Sequence, residues 1–235
     1  MTVYKRVIIK ISGEALAAEK KTGFDFAFVG AVCEQIKRCV ALGAQIGIVV
    51  GGGNIWRGVK DGAGKIERVS ADRMGMLATA INSLALGDVL SQCGVKAKVL
   101  TAVDIQGVGE RYDTKKAIEY LESGCVVIFG CGTGHPFFST DTAAALRAAE
   151  IGADAILLAK NIDGVYSDDP RKNPDAVKYD EISYADVLEQ RLAVMDSTAT
   201  SLAMDNHLPV FVFALSEPEN ILRAVTGHAV GTLVE

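Results

Sequence analysis

Apolar runs bounded by glycine alternate along the chain with segments whose apolar residues recur at helical spacing. Val7 to Ile11 reads as a strand, apolar on both faces except at Lys10. A helix is predicted over roughly 26–42, carrying Val29, Val32, Cys33, Ile36 and Val40 at helical spacing. Ile46 to Val50 reads as the next strand and runs into Gly51-Gly52-Gly53. The pattern then predicts a helix over 70–93, a strand over 97–101, a helix over 114–123, a strand over 125–130, a helix over 140–151 and a strand over 154–159. Helices near 183–190 and 197–206, a strand over 209–214, a helix over 218–226 and a strand over 229–234 complete the order. Such alternation predicts an α/β fold: one domain over residues 1–235, with a mostly parallel central sheet and helices on both faces. Ligands of such sheets bind beyond the carboxyl ends of the strands, so the chemistry is expected directly after them. The helix over 70–93 is apolar most of the way round, through Met74, Met76, Leu77, Ile81, Leu84, Ala85 and Leu86. It should therefore be buried on both sides, at a subunit interface or inside a monomer. The least regular stretch, Asp163 to Lys178, holds Pro170 and Pro174 and reads as a long loop or hairpin.

Composition narrows the class. The 235 residues suit one α/β domain or two small ones, and 49% are apolar, enough to cover both faces of a sheet. The net charge of −5 argues against nucleic acid as the main partner, which would want a basic surface. The five cysteines, Cys33, Cys39, Cys93, Cys125 and Cys131, show no CxxC spacing and read as reduced thiols of a cytosolic protein. The first residues run straight into a strand without an apolar export segment, and no apolar run nears bilayer length, so a cytoplasmic location away from membranes is expected.

Several segments could carry chemistry. Lys10-Ile11-Ser12-Gly13 closes the first strand, and a Lys inside Val-Ile-Ile-Lys-Ile either points past the strand end toward a phosphate or lies on an edge strand in water. Gly51-Gly52-Gly53-Asn54-Ile55-Trp56-Arg57-Gly58 can aim successive amides at an anion, with a helix start after them and Arg57 as a forked cation. It is not a Walker loop, because Val59-Lys60 follows Gly58, and no GxGxxG follows a strand. Asp72 reads more simply as a first-turn acid of its helix than as a ribose ligand. Gly132-Thr133-Gly134-His135-Pro136-Phe137-Phe138-Ser139-Thr140-Asp141 suits a second small-molecule site, and Ser139, Thr140 and Asp141 also suit a helix cap. Asn161-Ile162-Asp163-Gly164-Val165-Tyr166-Ser167-Asp168-Asp169-Pro170 could face a nucleoside, yet Asp-Gly and Asp-Pro are turn chemistry. No Ser–His–Asp or metal-ligand spacing is present.

Together these blocks resemble the amino acid kinase family, and from end to end its bacterial branch that phosphorylates UMP. The resemblance is carried by Lys10 to Leu16, Gly51 to Gly58, Asp72-Arg73-Met74-Gly75-Met76-Leu77-Ala78-Thr79, Gly132-Thr133-Gly134, Pro136-Phe137-Phe138 through Asp141, Asp163 to Tyr166, Asp169-Pro170 and Val194-Met195-Asp196. It implies transfer of the γ-phosphoryl of ATP to UMP in pyrimidine nucleotide biosynthesis, with Mg²⁺ accompanying ATP. It also implies a catalytic set of Lys10, Arg57 and Asp141. Lys10, Ile11, Ser12, Gly13, Gly53 and Arg57 would hold the ATP phosphates, and Asn161, Tyr166 and Asp169 the ATP nucleoside. Gly52, Asp72, Thr133, Gly134, His135, Pro136, Phe137, Phe138, Ser139 and Thr140 would hold UMP, and Asp141 would order Lys10 and the Mg²⁺ assembly. A hexamer with GTP activation and UTP inhibition is implied as well. Two departures are visible: His135 stands where the family usually has Asn, and Gly87 and Ser91 stand where some members carry GTP-binding Arg and His. The rival readings are a family kinase for a carboxylate, carbamate or other phosphate, and a nucleotide- or oxyanion-binding storage protein on the same fold.

Overall fold

The computed structural model describes residues 2–57, 64–192 and 194–235. Eleven strands occur among them: β1 (Arg6–Ile11), β2 (Gln45–Val50), β3 (Ala97–Thr101), β4 (Glu110–Arg111), β5 (Val126–Gly130), β6 (Ala155–Lys160), β7 (Val165–Tyr166), β8 (Lys178–Tyr179), β9 (Glu181–Ile182), β10 (Val210–Ala214) and β11 (Thr232–Val234). The helices among them are α1 (Gly13–Ala17), α2 (Phe26–Ala41), α3 (Arg68–Gln92), α4 (Thr114–Glu122), α5 (Thr140–Ile151), α6 (Tyr184–Glu189), α7 (Ser197–Asp205) and α8 (Glu219–Val225). Nine strands form one sheet in the order β4-β3-β5-β2-β1-β6-β10-β11-β9. Every neighbouring pair is parallel except β10 and β11.

The central strands are apolar on both faces because both faces are covered. Val7, Ile9 and Ile11 of β1 pack with α2, the C-terminal half of α3 and α8. Ile8 points the other way and joins Val49, Phe129 and Leu158 against α4, α5 and α7. Each large aliphatic side chain buried this way contributes about 1.5–3 kcal/mol. The helices begin where short polar side chains accept orphan amides: Asp25 caps α2, Asp113 caps α4, Ser139 caps α5 and Asp196 caps α7.

The predicted elements appear in the predicted order, with two differences. The last strand begins only at Thr232 and runs antiparallel to β10. Helix α1 and the two-residue strands β4, β7, β8 and β9 are too short to show a period. Asp163 to Lys178 contains the small antiparallel β7–β8 pair, which agrees with the expected hairpin. The expectation that no segment reaches membrane-spanning length and apolarity also needs correcting. Helix α3, at 25 residues, meets both measures. Its inward face is buried through Ala71, Ala78, Leu86 and Leu90, while Met74, Leu77, Ile81 and Leu84 are exposed along the other side.

Candidate active site

Strands β5, β2, β1 and β6 are adjacent and parallel, so their carboxyl ends open on one edge of the sheet. Lys10 lies at that end of β1 with only 7% of its surface exposed. The edge-strand reading of Lys10 is therefore excluded, since β1 is flanked by β2 and β6. Its ammonium sits 2.6 Å from Oδ1 of Asp141, in the first turn of α5. The approach is close but off the hydrogen-bond direction, so this buried oxygen receives charge without a donor. Lys160, the last residue of β6, lies 3.9 Å from the other oxygen of Asp141 and donates to the carbonyl of Val194. Burial pushes the Lys160 ammonium below its ordinary pKa, while the carboxylates of Asp141 and Asp196 pull it back up. Lys160 escaped the sequence reading because a lysine ending a strand looks like an ordinary boundary residue.

Two turns meet beside Lys10. Ser12 caps α1, accepting the Ala15 amide at 3.2 Å, so its hydroxyl oxygen is partly engaged while its hydrogen stays available. A Cβ on Gly13 would fall 2.6 Å from the Gly51 carbonyl oxygen and 2.6 Å from the Gly53 nitrogen. Only glycine lets the β1 and β2 turns touch. None of Gly51, Gly52 and Gly53 adopts a positive φ, so these glycines serve close approach rather than a left-handed turn. Behind them, Asn54 and Asn82 exchange reciprocal side-chain hydrogen bonds of 3.1 and 2.7 Å, and Asn82 also donates to the Gly51 carbonyl at 2.6 Å. This buried amide pair fastens the glycine turn to α3. Neither Asn carried a motif by itself, which is why pattern reading passed over the pair. Arg57 is held by the Gly53 carbonyl at 3.0 Å and by Glu14 at 2.9 Å. The helix start expected after the glycines, with Gly58 and Lys60, lies outside the described residues.

A cleft of about 140 Å³ opens on the other side of the glycine turn. Of the residues expected around UMP, Gly52, Asp72, Thr133, His135, Phe138 and Thr140 line it, together with Trp56, Met76, Thr79 and Cys131. Gly134, Pro136, Phe137 and Ser139 do not line it; Ser139 instead caps α5 and donates to Asp196. Helix α3 starts at Arg68, so Asp72 stands beyond its first turn and the simple dipole reading of Asp72 fails. Asp72 accepts Arg68 Nε at 2.7 Å and the Phe137 amide at 2.8 Å. Thr79 accepts the Cys131 amide at 2.8 Å and donates to Met76. Cys131 and Phe137 both sit at positive φ, +67° and +72°, and Gly132 and Gly134 do as well. His135 is exposed, and its own amide bonds Thr133 Oγ1 at 3.2 Å.

Asn161, Tyr166 and Asp169 lie on the segment that leaves β6 and makes the β7–β8 pair. The Tyr166 hydroxyl donates to Asp163 at 2.8 Å, which raises the phenol pKa. Asp169 accepts Arg171 through both oxygens and its pKa is lowered, chiefly by those bonds. Asp163 is lowered by Lys178, 2.8 Å away. Tyr166 and Asp169 thus form an internally bonded hairpin, and Asn161 is exposed at its base.

A model of the amino acid kinase family matches residues 5–214. Among solved structures, the chain is similar to UMP kinase from Bacillus anthracis, with 42% identity and a TM-score of 0.95 over 99% of this chain and 96% of that one. It is also similar to UMP kinase from Ureaplasma parvum, with 37% identity and a TM-score of 0.92 over 98% of each chain. Uridylate kinase from Archaeoglobus fulgidus matches at 29% identity and a TM-score of 0.77 over 100% of each chain.

Proposed function

This chain belongs to the amino acid kinase family, and from that premise we propose that it phosphorylates UMP to UDP with MgATP, all 235 residues working as one kinase domain. The observation that carries the reading is the buried Lys10–Asp141 pair, set between the Gly13/Gly53 turns and a cleft lined by Asp72, Thr133 and Thr140. A charged pair costs several kcal/mol to bury, and its presence at this spot argues against a binding-only protein.

The acceptor phosphate of UMP is an anionic nucleophile at neutral pH, so no general base is needed. What the reaction needs is in-line placement and positive charge around the moving group. In this reading Lys10 and Arg57 supply the charge, Lys160 lends a second ammonium beside Asp141, and the backbones of Gly13 and Gly53 close on the ATP phosphates. Asp72 and the Thr133–Thr140 turn hold UMP, and His135 stands at the exposed mouth to meet the base.

The residues fit a Mg²⁺ ion brought with the nucleotide. Mg²⁺ takes one or two carboxylates plus substrate phosphates rather than a full protein cage. Asp141 offers a buried oxygen with no hydrogen-bond donor, and the described residues hold no cluster of three or more ligands that would suit a caged metal. When bound beside Asp141, the ion would supply positive charge that neutralises the transferred group.

Self-assembly, to a hexamer by the family resemblance, is supported by the exposed stripe Met74, Leu77, Ile81 and Leu84 on α3. Sedimentation showing only a 24.8 kDa species at micromolar protein would end that part of the proposal. GTP activation and UTP inhibition enter from the resemblance alone, and a cytoplasmic location from the cysteine usage and the sequence pattern. The test of the reaction is a coupled assay for ADP with UMP, CMP, carbamate and N-acetylglutamate as acceptors. ADP should form with UMP and hardly at all with the others; equal rates with CMP, or none with UMP, would overturn the proposal.

A further inference from the structure

Arg68 opens α3 and closes a ring of contacts at the rim of the cleft. Its Nε lies 2.7 Å from Oδ2 and 2.9 Å from Oδ1 of Asp72. Its guanidinium carbon lies 5.3 Å from the centroid of the Phe137 ring. Phe137 in turn donates its amide to Asp72 Oδ2 at 2.8 Å. One arginine therefore touches a carboxylate that lines the cleft and the aromatic ring of the residue whose amide bonds that carboxylate. Phe137 is held at a φ of +72°, a conformation bulky side chains rarely take, although 65% of its surface faces solvent. A strained, solvent-facing residue keeps such a backbone only where outside contacts impose it. Here those contacts are the Asp72 carboxylate and the Arg68 plane.

The same contacts leave Asp72 with a defined vacancy. A carboxylate oxygen accepts along about two directions. Among the described residues, Oδ2 takes two donors, the Phe137 amide and the shared Arg68 N–H, whereas Oδ1 takes only a share of that one N–H. Oδ1 keeps acceptor capacity in a group that lines the cleft. We infer that Arg68 is a positioning residue for acceptor recognition: it turns Asp72 so that Oδ1 meets a ribose hydroxyl, pins the Phe137 turn, and so sets a preference for ribonucleotide over deoxyribonucleotide acceptors. The inference rests on the UMP reading above. Lysine is a poor substitute, because it keeps the charge but has neither the planar face over Phe137 nor a donor on its stem.

The experiment measures initial rates at saturating MgATP against UMP and against 2′-deoxy-UMP, for wild type, Arg68→Ala and Arg68→Lys. Arg68→Ala should raise the UMP KM by about tenfold and leave kcat at saturating UMP within about threefold. Its ratio of kcat/KM for UMP over deoxy-UMP should fall by about fivefold. Arg68→Lys should lie between it and wild type, and reads the same ratio if the alanine variant does not fold. An equal rise in both KM values would mean general damage to the loop and would overturn the inference. So would an unchanged UMP KM, or a wild type that does not distinguish the two acceptors. A wild type that turns over no UMP at all would overturn the functional reading, and it would be seen before any variant is made.

Discussion

The turn after β2 and the turn after β5 leave adjacent parallel strands, yet they are built on different physical grounds. In the first, Gly51, Gly52 and Gly53 keep ordinary φ values, and glycine is demanded by space: a Cβ on Gly52 would meet Ala78 at 2.9 Å and one on Gly13 would strike the opposing backbone. In the second, a Cβ on Gly132 would meet nothing and one on Gly134 would only crowd Ala102 at 3.1 Å, but the backbone is left-handed at Cys131, Gly132, Gly134 and Phe137, two of them not glycine. Close packing holds one turn, and hydrogen bonds from the Cys131 and Phe137 amides to Thr79 and Asp72 hold the other. A turn made of contact surfaces suits a task that does not vary, such as gripping phosphates. A turn held by side chains can be retuned by changing them, which suits the choice of acceptor.

The comparison can be broken or sharpened by mutation. The largest effect is expected from the charge beside the first turn. Lys10→Ala and Asp141→Asn should each lower kcat by about a hundredfold or more, with the UMP KM within about threefold, because the pair is assigned to the transition state. A kcat within a few-fold of wild type for either variant would remove it from the machinery. Next comes Gly13→Ala, which forces a methyl into a 2.6 Å gap between backbones. It should destabilise by about 2 kcal/mol, lower Tm by about 5 °C and depress activity, measured by calorimetry and the ADP assay. If Gly13→Ala melts like wild type, the close-packing account of the first turn is wrong. The smallest effect belongs to Cys131→Gly. It relieves a left-handed non-glycine residue but deletes a buried thiol, two terms of about 1 kcal/mol with opposite signs, so Tm should stay within about 3 °C. A large destabilisation would show that the second turn also depends on packing.

Much of this was legible in the sequence. The alternation of strand and helix gave the layers and nearly all boundaries, because both faces of β1, β2, β5 and β6 are covered and their apolar runs are unbroken. Lys10 stood out because an ammonium inside such a run needs a reason. The partners that make the site rigid were not legible. The Asn54–Asn82 pair joins residues 28 apart, and Asp196 gathers Ser139 and Thr142 from more than 50 residues away. No local period records either contact. Asp72 was misread for the same reason: its partner Phe137 is 65 residues distant, and the start of α3 two residues earlier than predicted removed it from the first turn.

The place of β1 within the sheet has a consequence in time as well as in space. Its amides and carbonyls are bonded on both sides, with four strands to one side of it and four to the other. Fraying from β4 or β9 must consume several ladders before reaching it. In deuterium exchange, the amides of Val7 to Ile11 should therefore open only when the whole molecule unfolds, whereas the rim strands exchange through local openings. The lysine proposed to meet the phosphates is thus carried by the part of the chain with the longest closed lifetime.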